Sequence, residues 1–249
     1  AKILRIPFII YENNLHLGKA NRYLLPHAKK IFVSHKELDG IQDRYRKKVC
    51  EIGNIIRKEI LNFKIEPFFY QKDKKLRILI LGGSQAAKVF AEKLTGIFKE
   101  CKKAQIELKI YQQCLPEQNN FLKSFYKDSN IDFEIFNFSN NIQNYFSKIN
   151  LAITRSGSSM LAELINVKIP FISVPLPTSA DNHQLKNAIY YEKKGYSYLV
   201  EEKNLNKELF YLIKKINENT SLLTKIVNNQ KEYSHKSVYE NINKELTKL

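Results

Sequence analysis

Residues 77–85 read Arg-Ile-Leu-Ile-Leu-Gly-Gly-Ser-Gln, and apolar residues then recur at helical spacing as far as residue 101. An unbroken aliphatic run suits a strand buried on both faces, and paired glycines let the chain turn tightly and approach a ligand closely. The change from a continuous apolar run to a 3.6-residue repeat marks a strand, a turn and a helix in that order. This is the repeating unit of a parallel sheet with right-handed helical crossovers.

The same alternation extends in both directions. Downstream, strands are expected at 106–111, 133–136, 151–154, 171–174 and 198–201, and helices at 86–101, 117–126, 142–146, 158–165, 182–193 and 207–216. Upstream, strands are expected at 7–10, 30–33 and 49–51, with a helix at 19–26. Residues 61–75, mixed and charged with Pro67 inside, read as a linker, and 221–249 as a polar helical stretch followed by no strand. The fold class is α/β, with helices on both faces of a parallel sheet.

Bulk properties exclude several classes. With 43% hydrophobic and 27% charged residues over 249 positions, the chain is a globular protein. No apolar run approaches the roughly 20 residues of a membrane-spanning helix. Residues 1–10 start at Ala1 and lack the layout of a signal peptide, which suggests a chain beginning inside a larger fold. Cys50, Cys101 and Cys114 are odd in number and lack metal-site spacing, so they read as small buried side chains in a reducing cytoplasm. The net charge of +16 invites a nucleic-acid reading. Against it, only seven of the 41 basic residues are Arg, the lysines are scattered, and no nucleic-acid-binding motif frames them. A basic face on anionic lipid headgroups is the more economical functional reading, and a solvated lysine surface the simplest of all.

Three turns at expected strand ends hold the candidate chemistry. The first is Gly82-Gly83-Ser84-Gln85. A helix starting there aims free N–H groups and a partial positive charge at its ligand, which suits a diphosphate, while Ser84 is either a further donor or a cap. The second is Thr154-Arg155-Ser156-Gly157-Ser158-Ser159, with Glu163 within two helical turns. One carboxylate accepts both hydrogens of a vicinal diol, as acidic residues do for ribose in nucleotide folds; the alternative is a solvated helix residue. The third is Val174-Pro175-Leu176-Pro177, before Asp181-Asn182-His183-Gln184 and Asn187-Ala188. Gln184 and Asn187 share a helix face, and amides suit sugar hydroxyls. His183 is either a base or a cap.

Taken together, GGSQ, RSG with its following acid, and VP-P…D-HQ--NA resemble the MurG family of GT-B glycosyltransferases, glycosyltransferase family 28. Upstream, Glu12-Asn13-Asn14 is similar to that family's HEQN motif and residues 53–57 to its GNPVR motif. The resemblance covers the whole chain and the latter two-thirds of the family's length. It implies a Rossmann-like parallel donor domain at 76–233, preceded by the closing part of an acceptor domain at 1–60 and a linker at 61–75. A final helix at 234–249 would return toward the first domain. The implied reaction moves N-acetylglucosamine from UDP-N-acetylglucosamine to the muramyl hydroxyl of an undecaprenyl-diphosphate-linked precursor. It would run at the cytoplasmic face of the inner membrane, with inversion and without an obligatory metal or a cofactor.

Carried over by position, Ser84 and the amides of Gly83 to Gln85 would face the diphosphate, with the backbone from Ser158 through Ser159 to Ala162 lining the nucleotide. Glu163 would hold the ribose, Ser139 read the uracil edge, and Gln184, joined by Asn14 across the cleft, contact the sugar. Arg57 would line the donor pocket. The sequence departs from the family at Tyr11 (for His), Ala86 (for Gly), Ile55 (for Pro) and Thr178 (for His). The family's glycine-rich loop, acceptor groove and candidate bases have no counterpart in these residues, so no catalytic residue is assigned. These 249 residues are expected to bind uridine nucleotides and to transfer no sugar alone, and a donor-binding subunit of a split enzyme is the alternative.

Overall fold

The computed structural model describes residues 6–64, 75–233 and 237–248, with the side chains of 83–87 outside that description. In chain order come β1 (Ile9–Glu12), α1 (Lys19–Leu24), β2 (Lys30–Val33), β3 (Val49–Glu51), α2 (Lys58–Leu61), β4 (Leu76–Leu81), α3 (Gly83–Lys103), β5 (Leu108–Gln113) and α4 (Asn119–Asp128). There follow β6 (Asp132–Phe136), α5 (Gln143–Phe146), β7 (Leu151–Thr154), α6 (Ser158–Asn166), β8 (Phe171–Ser173), α7 (His183–Lys193), β9 (Tyr198–Leu199), α8 (Leu205–Glu218), α9 (Ser221–Gln230) and α10 (Val238–Leu246).

The strands form two parallel sheets, one ordered β1-β2-β3 and the other β6-β5-β4-β7-β8-β9. The aliphatic run that opened the sequence is β4, at the centre of the larger sheet and buried at every position. Side chains alternate across a strand, so β4 serves two cores. Leu76, Ile78 and Ile80 pack with Phe90, Leu94 and Phe98 of α3 and Leu209 and Ile213 of α8. Leu79 and Leu81 face Leu161 and Ile165 of α6 and Tyr191 of α7.

The chain builds outward from β4 to β6, then crosses back to lay β7 on the other side of β4. That reversal creates a switch point between the carboxyl ends of β4 and β7, the usual place for a ligand in an open parallel sheet.

Several boundaries differ from expectation. β5 runs on to Gln113 because the glutamines continue the ladder, and Gln112 is fully buried where Tyr126 donates to it. The expected helix at 19–26 stops at Leu24. Lys48 Nζ donates to the carbonyls of Leu25, Pro26 and Ala28 at 3.1, 3.0 and 2.7 Å, satisfying groups beyond its end. The short helix α2 and a 3₁₀ segment at Asp43–Lys48 were not legible. The stretch 221–249 divides into α9 and α10. Most of the expected linker, residues 65–74, lies outside the described residues. Cys101 and Cys114 are buried as expected, whereas Cys50 is only half-buried.

Helix α10 rests on the β1-β2-β3 unit. Lys30 Nζ pairs with Glu245 at 2.7 Å, Tyr239 Oη donates to the Ile56 carbonyl at 3.0 Å, and Val238 is buried. Gly53 has φ +92°, and a Cβ there would stand 2.8 Å from Val238, so this position requires glycine on both counts. Among the described residues no helix is long and apolar enough to cross a membrane.

Candidate functional site

β4, β7 and β8 are neighbours in the sheet, so the three candidate turns stand side by side. After β4 the chain turns at Gly82 straight into α3, and the N-cap, a glycine, has no side chain to offer. The side chains of Ser84, Gln85 and Ala86 lie outside the described residues. After β7, Gly157 precedes α6, again with no side-chain cap. Two helix N-termini, each with a glycine at the N-cap, therefore flank the switch point, an arrangement that attracts anions.

Arg155 fixes the second and third turns to each other. It is 7% exposed; its Nη1 donates to the carbonyls of Val174 and Pro175 at 3.2 and 3.3 Å, and its Nη2 pairs with Glu202 at 2.5 Å. The guanidinium also lies 4.8 Å from the ring centroid of Phe90, on the helix that follows the first turn. Its role is invisible in the sequence, where an arginine beside small residues reads as a ligand contact as readily as a brace.

Gln184 adds a second brace. Its Oε1 accepts from the amides of Ser156 at 3.2 Å and Leu176 at 3.0 Å, tying together the turns after β7 and β8. The carbonyl half of this side chain is thus structural. Asn187 is engaged at both ends of its side chain within the protein. It is 1% exposed, accepts from the Leu15 amide at 3.1 Å and donates to Asn14 Oδ1 and the Ser156 carbonyl, each at 3.1 Å. His183 Nδ1 lies 2.8 Å from the Ala180 carbonyl, a contact with the preceding turn that caps no helix amide.

The smaller sheet unit closes over this edge. Asn13 Nδ2 donates to Ser159 Oγ at 3.3 Å, and Ser158 Oγ contacts the Asn13 carbonyl and Asn54 Oδ1. Both ends of the Asn14 side chain are engaged. Its Nδ2 donates to Glu12 at 3.1 Å, and its Oδ1 accepts from Asn187.

Glu163 is not the solvated helix residue of the alternative reading. Its side chain is only 7% exposed, and Arg57 holds both oxygens, Nε to Oε1 and Nη2 to Oε2, each at 2.7 Å. The hydrogen bond to the carboxylate raises the Arg57 pKa above its ordinary value. Ser139 follows the edge strand β6 and accepts from the Asn141 amide at 3.2 Å. Among the described residues no hydrogen bond joins it to the other candidates, and Phe138 beside it is 75% exposed.

Two departures from the motifs compensate each other. Tyr11 Oη stands 3.1 Å from Ser34 Oγ and accepts from the Ile55 amide at 3.1 Å. A proline at 55 would have no N–H to give.

Comparison with known proteins gives the family. Residues 77–244 match the model of the glycosyltransferase family 28 C-terminal domain. A UDP-N-acetylglucosamine--N-acetylmuramyl-(pentapeptide) pyrophosphoryl-undecaprenol N-acetylglucosamine transferase from Pelagibacter ubique (strain HTCC1062) is 34% identical over 245 residues, 98% of this chain and 67% of the relative. The enzyme of the same name from Rickettsia canadensis (strain McKiel) is 36% identical over 208 residues, 83% of this chain and 58% of the relative. The chain thus spans about 58–67% of the length of these curated relatives. In fold it is similar to the crystal structure of Acinetobacter baumannii MurG, with a TM-score of 0.80 at 24% identity over all of this chain and 70% of that one.

Proposed function

This chain belongs to glycosyltransferase family 28, and on that premise we propose that it carries the donor half of an N-acetylglucosaminyl transfer. The donor is UDP-N-acetylglucosamine. The acceptor is undecaprenyl-pyrophosphoryl-N-acetylmuramyl-pentapeptide, met at the cytoplasmic face of the inner membrane by a peripherally attached protein. The observation that carries the reading is the switch point between β4 and β7, flanked by two helix N-termini with glycine N-caps, with the Glu163 carboxylate behind the second.

In this reading the first-turn amides of α3 and α6, with Ser84 and Gln85, receive the diphosphate. They stabilise the charge that builds on UDP as the glycosidic bond breaks. Ser158 and Ser159 exchange Asn13 for the nucleotide. Glu163 accepts from the ribose hydroxyls, Ser139 meets the uracil through its main chain, and Gln184 Nε2 and Asn14 reach the sugar. Residues 1–60 act as the closing part of an acceptor domain, 61–75 as a linker, 76–233 as the donor domain, and 234–249 as the helix returning to the first.

Glu163→Ala is expected to weaken UDP binding by roughly 1–3 kcal/mol, the scale for hydrogen bonds to a charged group. The fold should survive, because Arg57, with its side chain 47% exposed, can turn to water. Isothermal titration decides it, and unchanged affinity in a folded variant removes the ribose assignment.

Gln184→Ala separates the two halves of that side chain. Loss of the carbonyl loosens the turns before α6 and should weaken UDP somewhat. Loss of the amide should weaken UDP-N-acetylglucosamine by about 1 kcal/mol more. Equal losses for both ligands would leave Gln184 a brace only.

A further inference from the structure

The motif residue Arg57 has so far a place but no task. It is the N-cap residue of α2, and its backbone is held from both sides. Ile56 and Ile60, 3% and 1% exposed, share one core with Leu161, Ala162, Leu164 and Ile165 of α6. Asn166 Nδ2 donates to the Ile60 carbonyl at 2.9 Å, and Tyr239 Oη to the Ile56 carbonyl at 3.0 Å. The start of α2 is thereby fixed against the flank of α6, and the guanidinium reaches Glu163 from an anchored base.

The contact is a fork, with one N–H on each carboxylate oxygen at 2.7 Å. A planar guanidinium in that geometry fixes the plane of the carboxylate as well as its charge. Two oxygens offer about four lone-pair sites, so the fork leaves one site on each oxygen. Those two remaining sites, held in a fixed plane, are what a vicinal diol needs.

Resting on the assignment of Glu163 to the ribose, we propose that Arg57 is a positioning residue that acts through Glu163 on the ribose hydroxyls and not on the diphosphate. A phosphate ligand role would require the fork to open and leave a carboxylate with only 7% exposure without its partner, which is costly for a buried charge. Lysine does not substitute, since a point charge neutralises the carboxylate without setting its plane.

The test compares UDP, 2′-deoxy-UDP and UMP by titration calorimetry on the 249-residue chain and on its Arg57→Gln, Arg57→Lys and Glu163→Gln variants. The wild-type chain should prefer UDP over 2′-deoxy-UDP by about tenfold, one charged hydrogen bond. Arg57→Gln and Arg57→Lys should erase most of that preference, as Glu163→Gln does, while leaving the preference for UDP over UMP unchanged. Circular dichroism establishes that each variant is folded, and if Arg57→Gln is not, Arg57→Lys carries the comparison. Arg57 variants that lose the preference for UDP over UMP and keep the ribose preference place the guanidinium on the diphosphate and overturn the proposal. A wild-type chain indifferent to the 2′-hydroxyl overturns instead the ribose assignment, and the proposal with it.

Discussion

Arg155→Ala is expected to lower the stability of the chain by about 3–5 kcal/mol, the cost of removing one partner from a buried ion pair. The loss has several parts. Glu202, 17% exposed at its side chain, would keep its charge without its partner. The carbonyls of Val174 and Pro175 would lose their donor, and the face of Phe90 its cation. Because these contacts join the turns after β7 and β8 to α3, the same change should also weaken uridine-nucleotide binding. Urea denaturation measures the first effect. A loss below about 1 kcal/mol, the ceiling for an exposed pair, would mean that Arg155 braces nothing. Glu202→Gln should cost less, and the double variant less than the sum of the two, as expected for groups in contact.

The second large effect depends on pH. His35 is 4% exposed, its Nε2 3.1 Å from Tyr191 Oη, with the rings of Tyr190, Tyr191 and Tyr233 at centroid distances of 4.9, 5.9 and 6.0 Å. Burial pushes its pKa down from 6.5 to about 4, with Glu37 opposing and Lys194 assisting. An unfolded chain takes up this proton near pH 6.5, whereas the folded chain refuses it until about pH 4. Between those values the unfolded state binds more protons, so stability falls as the pH drops. The full contribution, about 3 kcal/mol, is present above pH 6.5 and lost as the pH descends to about 4. Carboxylates titrate in part of the same window, so the comparison is with His35→Phe. That variant leaves Tyr191 Oη and Asn54 Nδ2 short of a partner at every pH, a constant offset. Its unfolding free energy should therefore depend less steeply on pH between 4 and 6.5. Parallel profiles for the two proteins would contradict a buried neutral histidine.

This histidine knot also shows where sequence reading stops. Asn54 Nδ2 donates toward His35 Nε2 and Tyr233 Oη, at 3.4 and 3.3 Å, while Asn54 Oδ1 accepts from Ser158. The knot thus joins residues just after β2, the GN of the upstream motif, α7 and the turn after α9 to the start of α6. No local pattern announces it, because each residue alone is an ordinary polar or aromatic side chain.

The sequence by itself determined the repeating strand, turn and helix units, and with them the α/β class. β2, β3 and β7 lie where the apolar runs put them, and all three small-residue turns fall at strand ends. These features are local, since strand and helix periods, glycine turns and buried aliphatic runs are set by neighbours a few residues apart. The order of five motifs pointed to the family for the same reason, as a property of the chain read in line. Tertiary structure alone decided what the polar groups do. Packing placed β4, β7 and β8 side by side and brought Arg57 to Glu163 across 106 residues of chain. It turned the carbonyl of Gln184 inward onto two amides and gave the Ile55 N–H to Tyr11. A buried donor or acceptor must take whichever partner the fold sets within reach, and that partner is fixed by three-dimensional proximity, which residue type and spacing do not encode.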